Sequence, residues 1–196
     1  SGIPIQREFA IPIVDGGYEN QILAFTPEVG ALLEPTLVQS ELEKVRSVTQ
    51  SFTADMVQRV PFQRPIGAEY GTTSPFGIRR YYDSDVNSMA GYHAGQDFGA
   101  GTGVPILAPS AGIVALAETL QVRGNAVILD HGRGLYTGYW HMSQINVTPG
   151  QMVQAGDVLG LVGTTGLSTG SHLHWEMQVY GIPADPMQFL EEAPFP

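Results

Sequence analysis

Glycine placement is the feature that most narrows what this chain can become. Of its 24 glycines, four fall in residues 1–65 and twenty in residues 66–196, where they separate short apolar runs. Glycine weakens helix interiors and supplies the backbone freedom that tight turns need. A region punctuated this densely therefore reads as strands joined by turns. The runs "FGIRR", "HAGQDFGA", "AGIVALAE", "NAVILDHG", "LYTGYWHM", "DVLGLVG" and "HLHWEMQV" each have strand length, and no helical pattern interrupts them before "DPMQFL" near the end. Every connection is short, so the expectation is a mainly β fold with antiparallel sheets.

The first 65 residues read differently. "REFAIPIV" and "YENQILAF" flank Asp15-Gly16-Gly17 and predict a hairpin over 7–25. "SELEKVRSVTQSF" begins with Ser40 and Glu43 in capping-box spacing and sets Leu42, Val45, Val48 and Phe52 along one side of a helix that docks on something. "VPFQRP" then reads as a proline-marked linker. The expected organisation is an N-terminal segment, 1–65, of hairpin, helix and linker, followed by a β domain, 66–196.

Composition removes several function classes. The formal charge is −10, and the single lysine, Lys44, and eight scattered arginines form no cluster able to neutralise a phosphate backbone, so nucleic acid is not an expected partner. The chain has no cysteine, which excludes disulfides, thiolate metal sites and a cysteine nucleophile. No apolar run reaches the roughly 20 residues that span a bilayer, so no membrane segment is expected.

Chemistry concentrates on histidine. Side chains at i and i+2 of a strand share a face, so His172 and His174 of "HLHWEM" can enter one site. His93 and Asp97 of "HAGQD" also have even spacing and share a face if that stretch is extended. Two imidazoles and a carboxylate suit zinc, and three protein ligands leave a fourth tetrahedral position for water, the arrangement of catalytic sites. His141 in "YWHMS" closes another predicted strand. His131 in "DHGRG" lies beside a glycine turn outside any ligand spacing and reads as a structural hydrogen-bonding residue. Arg79 and Arg80 are expected to be solvated.

The blocks "TSPFGIRR", "HAGQDFGAGTGVPILAPSAGIV", "GNAVILDHGRGLYTGYWHMS", "VTPGQMVQAGDVLGLVGTTGLSTGSHLHWEM" and "GIPADPMQFL", running in order from about Gly71 to Leu190, resemble the lysostaphin-type zinc metallo-endopeptidases that cleave bacterial cell-wall peptides. The resemblance implies that His93, Asp97 and His174 bind Zn2+ and that His141 and His172 act beside the reacting carbonyl. It also implies a peptidoglycan peptide as substrate and a place outside the cell, in the periplasm or at the wall. Gln96 and Met142 depart from the aliphatic residues usual there, and neither is a ligand position.

Rival readings fail at particular residues. "GLSTG" matches the serine-hydrolase elbow, but a strand follows where that elbow needs a helix, so Ser168 reads as a turn residue. A cupin site needs a glutamate where Gln178 and Val179 stand, and a biotinyl or lipoyl carrier needs a lysine that only Lys44, far away, supplies. The remaining alternative is a non-catalytic module that binds peptidoglycan or activates another hydrolase.

Overall fold

A computed structural model describes residues 19–54, 61–83 and 89–191. In chain order, β1 (Asn20–Ala24) is followed by α1 (Pro27–Gly30), a 3-10 turn (Ala31–Leu33) and α2 (Pro35–Thr49). Then come β2 (Thr72–Ser74), β3 (Arg79–Asp83), β4 (Met89–Tyr92), β5 (Gly95–Gly99), β6 (Pro105–Leu107), β7 (Gly112–Thr119) and β8 (Asn125–Asp130). The chain closes with β9 (Leu135–Met142), β10 (Gln144–Ile145), β11 (Met152–Val153), β12 (Val158–Leu161), β13 (His172–Val179), β14 (Ile182–Ala184) and α3 (Gln188–Glu191).

The large sheet has the order β11-β7-β8-β9-β13-β5-β2, with β14 on β13, and its pairings are antiparallel. The short glycine-bearing turns that join β7 to β8, β8 to β9 and β13 to β14 leave those pairs no other option. Its strands are apolar on both faces because both faces are covered. Val127 and Leu129 of β8 join Phe98, Leu173 and Trp175 in a core completed by Ile106, Leu159 and Val162 of the small β10-β12-β6 sheet region. The alternate residues Ala126 and Ile128, with Leu116, Tyr136 and Trp140, pack on Val45 of α2. The helix expected to dock therefore covers the second face of the main sheet.

Several N-terminal expectations change. The first hairpin strand and its Asp15-Gly16-Gly17 turn lie outside the described residues. Its second strand becomes β1, which pairs in parallel with β3 in a third sheet, β1-β3-β4. Helix α2 starts five residues before Ser40. Glu34 caps it by accepting from Thr36 N and Leu37 N, and Pro35 sits in the first turn, where its missing N–H costs nothing. Ser40 Oγ instead bonds back to Leu37 O. Phe52 falls beyond the helix, exposed and stacked on Tyr180. Within the expected linker Phe62 is in the main core, edge-on to His131, and its N–H donates to Phe189 O.

Candidate metal centre

Strand β13 lies between β9 and β5, and its register pairs His174 with Asp97 on one side and Trp140 on the other. Directly opposed residues of an antiparallel pair share a face, so His174 and Asp97 meet. His93 reaches them from the turn between β4 and β5 rather than from an extended His93–Asp97 run. Its Nε2 lies 3.1 Å from Asp97 Oδ1 and 3.0 Å from His174 Nδ1, and His174 Nδ1 is 2.8 Å from the same oxygen. All three side chains are buried.

The outer atoms of these residues fix their chemistry. His93 Nδ1 is 2.7 Å from Pro75 O; a carbonyl only accepts, so Nδ1 carries the proton and Nε2 offers a lone pair. His174 sets each ring nitrogen against a carboxylate, Nε2 at 3.2 Å from Glu176 and Nδ1 at 2.8 Å from Asp97 Oδ1, so a metal would take the place of any proton at Nδ1. Asp97 Oδ2 accepts from Arg80, leaving Oδ1 toward the histidines. His93 Nε2, Asp97 Oδ1 and His174 Nδ1 thus converge on one point, each able to offer a lone pair to a metal. Their spacing approaches the ~3.3 Å edge of a tetrahedron built on bonds of about 2.0–2.1 Å. The donor set fits a zinc ion, and the oxygen acceptors behind each imidazole are the support such ligands require.

Two more imidazoles border this cluster. His172 Nδ1 donates to Gly170 O at 2.8 Å, so Nε2, 3.8 Å from Asp97 Oδ1, is a free base. His141 Nδ1 donates to Thr165 O at 2.8 Å, and its ring lies 5.0 Å from that of His172 and 6.1 Å from that of His174. A regular strand would send His141 to the face opposite Trp140. Instead φ is 61° at His141, and the β8–β9 register slips between Asn125 and Val127. Trp140 and His141 consequently line the same groove. A side chain at positive φ is strained and persists only when its surroundings hold it. Here Arg123 O accepts the His141 N–H at 2.8 Å, and Thr165 holds the ring.

Burial lowers the pKa of His93 and His172 and, with the neighbouring His172 and His174, pushes His141 down to about 3. Burial alone would raise Asp97, but His174 and His93 hold it well below the usual carboxylate range. Burial opposes a charge on His174 too, yet Asp97 and Glu176 outweigh it and raise its pKa. Glu176 falls to about 2 because its contacts with His174 overcome burial.

The structure therefore brings together all five side chains singled out in the sequence. It also corrects one reading. Arg80 is only 8% exposed and ion-paired with Asp97, while Arg79 is exposed and lies over the Tyr81 ring. Strand alternation separates the two arginines, a distinction hidden in the doublet. Glu176 was also missed, although His172, His174 and Glu176 share one face by i, i+2, i+4 spacing. His131 makes the structural bonds expected of it, to Ala111 O and Thr137 Oγ1.

The centre sits in a groove of about 520 Å³. Leu167, Ser168, Thr169, Gly170 and Ser171 line it, together with Leu23, Phe25, Val38 and Leu42 from the N-terminal segment.

Residues 91–186 match the family described as Peptidase family M23. The catalytic domain of the antimicrobial peptidase lysostaphin from Staphylococcus simulans is 32% identical, with a TM-score of 0.54, over 63% of this chain and 93% of that one. The chain belongs to peptidase family M23. The lysostaphin-type antiparallel fold expected from the sequence is the fold observed. Another relative of this M23 chain, the peptidoglycan DD-endopeptidase ShyA of Vibrio cholerae serotype O1, is 37% identical over 135 residues, which are 68% of this chain. The match spans 31% of ShyA's length. A zinc-containing peptidase of Vibrio cholerae is 32% identical with a TM-score of 0.60, over 69% of this chain and 41% of that one. The zinc cofactor expected from the sequence agrees with that relative and with the convergent His93, Asp97 and His174.

Proposed function

We propose that this chain carries the catalytic part of a zinc-dependent endopeptidase that hydrolyses peptide bonds in bacterial peptidoglycan, outside the cytoplasmic membrane. In this reading residues 66–196 form the peptidase domain and residues 1–65 an N-terminal segment whose Leu23, Phe25, Val38 and Leu42 line the groove. His93, Asp97 and His174 are the metal ligands, and His141 and His172 are the catalytic residues. Similarity to ShyA supports a D,D-linked peptide of cross-linked stems as the bond cut.

The observation that carries this reading is the direction of the histidine protons. His93, His172 and His141 each commit one nitrogen to a backbone carbonyl behind it, leaving the other unprotonated, while His174 is backed by the Glu176 carboxylate. Bound zinc supplies a Lewis acid for the scissile carbonyl and lowers the pKa of water toward about 7. His141 and His172 are both held neutral by burial, and one of them takes the proton of the attacking water. Neither can donate from Nε2 in the resting state, so the proton taken from the attacking water creates the donor that stabilises the oxyanion and later protonates the leaving amine. The small residues Ser168, Thr169, Gly170 and Ser171 admit an extended backbone close to these imidazoles.

Digestion of purified sacculi by the zinc-loaded protein, read by mass spectrometry, tests the proposal. A new amino terminus within a stem or cross-bridge is expected, with little action on casein. His141→Ala and His172→Ala should keep zinc and lose about 10²-fold or more in rate, whereas His93→Ala, Asp97→Ala and His174→Ala should lose most of the metal. Fragments cut only in the glycan, or none from any wall while zinc is bound, would assign the chain instead to wall binding or hydrolase activation.

A further inference from the structure

The metal cluster has an outer support that lies outside the residues matched to the family. Arg80 divides the two oxygens of Asp97: its guanidinium takes Oδ2, while Oδ1 faces His93 and His174. The same guanidinium nitrogen reaches Ser74 Oγ at 2.8 Å, and Arg80 Nε donates to Gln21 Oε1 at 3.0 Å. Ser74 Oγ in turn donates to Gln21 Oε1 at 3.1 Å, and the next residue, Pro75, holds His93 through its carbonyl. Register explains the meeting, because Gln21 of β1 and Arg80 of β3 are direct partners. Gln21, Ser74, Pro75 and Arg80 all precede residue 91, where the family match begins.

We propose that Arg80 is a positioning residue of the metal site, holding Asp97 in a one-oxygen binding mode, and that Gln21 carries this support into the N-terminal segment. The inference rests on the reading of His93, Asp97 and His174 as zinc ligands. A carboxylate turns easily about its terminal bond and can chelate through both oxygens. One nitrogen of the guanidinium occupies the second oxygen, and the planar group is itself held by Gln21 and Ser74, so that nitrogen stays in place. With Arg80 and Asp97 both buried, water cannot substitute for that contact as it would at a surface. Lysine retains the charge but lacks the fork that spans Gln21, Ser74 and Asp97.

The test uses the intact chain stripped of metal, with zinc affinity measured by competition with a chromophoric chelator and coordination read from the visible spectrum of the cobalt-loaded protein. Arg80→Met should bind zinc about 10–100-fold more weakly, Arg80→Lys should fall between it and the parent, and Gln21→Ala, which removes the acceptor shared by Arg80 and Ser74 but leaves the Arg80–Asp97 pair, should lose about fivefold. Arg79→Ala, on the exposed side of the same strand, should bind like the parent. The cobalt spectrum of both Arg80 variants should weaken from the intense four-coordinate pattern toward the five-coordinate one as Asp97 becomes bidentate. Thermal unfolding checks that each variant is folded, and Arg80→Lys keeps the test decisive if Arg80→Met does not fold. Parental affinity and an unchanged cobalt spectrum in folded Arg80→Lys would overturn the inference. Failure of the unsubstituted chain to bind zinc would instead overturn the ligand assignment itself.

Discussion

Glu41 is the sharpest test of how α2 belongs to the rest of the molecule. It is 6% exposed, and its carboxylate accepts from Val122 N at 2.9 Å, Arg123 N at 2.9 Å and the Arg123 guanidinium at 3.2 Å. Glu41→Ala strips two backbone donors and a partly buried cation of their acceptor. Hydrogen bonds to charged groups contribute about 1.5–3 kcal/mol, and an unsatisfied buried donor costs about 1–3 kcal/mol. Because water reaches part of the site, the sum is set near the lower end, about 3 kcal/mol. For a chain of this size that corresponds to a fall in Tm of about 6–12 °C. Glu41→Gln, keeping one acceptor oxygen, should lose about half as much. Lys44 is the control on the same helix: its pair with Glu118 is 49% and 38% exposed, and such pairs contribute at most about 1 kcal/mol. The assay is thermal unfolding followed by circular dichroism at saturating zinc, since free metal shifts apparent stability. Because Arg123 O also holds the backbone of His141, peptidoglycan hydrolysis by Glu41→Ala should fall even well below its Tm. A Glu41→Ala protein that melts with Lys44→Ala would refute the idea that this carboxylate docks the helix.

Gly95→Ala should destabilise the fold by about 1–3 kcal/mol and reduce zinc content, because a Cβ there would lie 2.5 Å from Trp175 O and 2.8 Å from His174 Nε2; normal zinc content together with a parental Tm would contradict this. Burial lowers the pKa of His131 from 6.5 to about 4, against the smaller upward pull of Ala111 O and Asp130. Between those values the unfolded chain binds more protons, so stability should decline as pH falls from 6.5 to about 4, by up to about 3 kcal/mol from this residue. Urea titrations at pH 7 and pH 4.5 should show that His131→Gln flattens this dependence, and equal slopes in the two proteins would exclude His131 as its source.

Local pattern made much of this protein legible. Glycine spacing and strand-length apolar runs gave the antiparallel β class, because turn chemistry and the two-residue period of a strand are properties of neighbouring residues. The same period put His172 and His174 on one face, and the serial motif blocks picked out His93, Asp97 and His141. The pattern failed where a rule competes with a stronger local one. Ser40 and Glu43 have capping-box spacing, yet Glu34 followed by Pro35 starts the helix earlier. Phe52 fits the helical stripe but lies past the helix end.

What only the tertiary structure decided depends on atoms that distant segments contribute. His141 enters the groove through a bulge and a positive φ held by Arg123 and Thr165. The free nitrogens of His93, His141 and His172 are set by the carbonyls of Pro75, Thr165 and Gly170, and every residue type carries a carbonyl, so no sequence pattern marks them. Arg80 is set apart from Arg79 by which face of β3 meets Asp97, and Gln21 by the parallel register of β1. Side-chain periodicity is written in the order of the residues, whereas register between remote strands is fixed only when their faces are buried together.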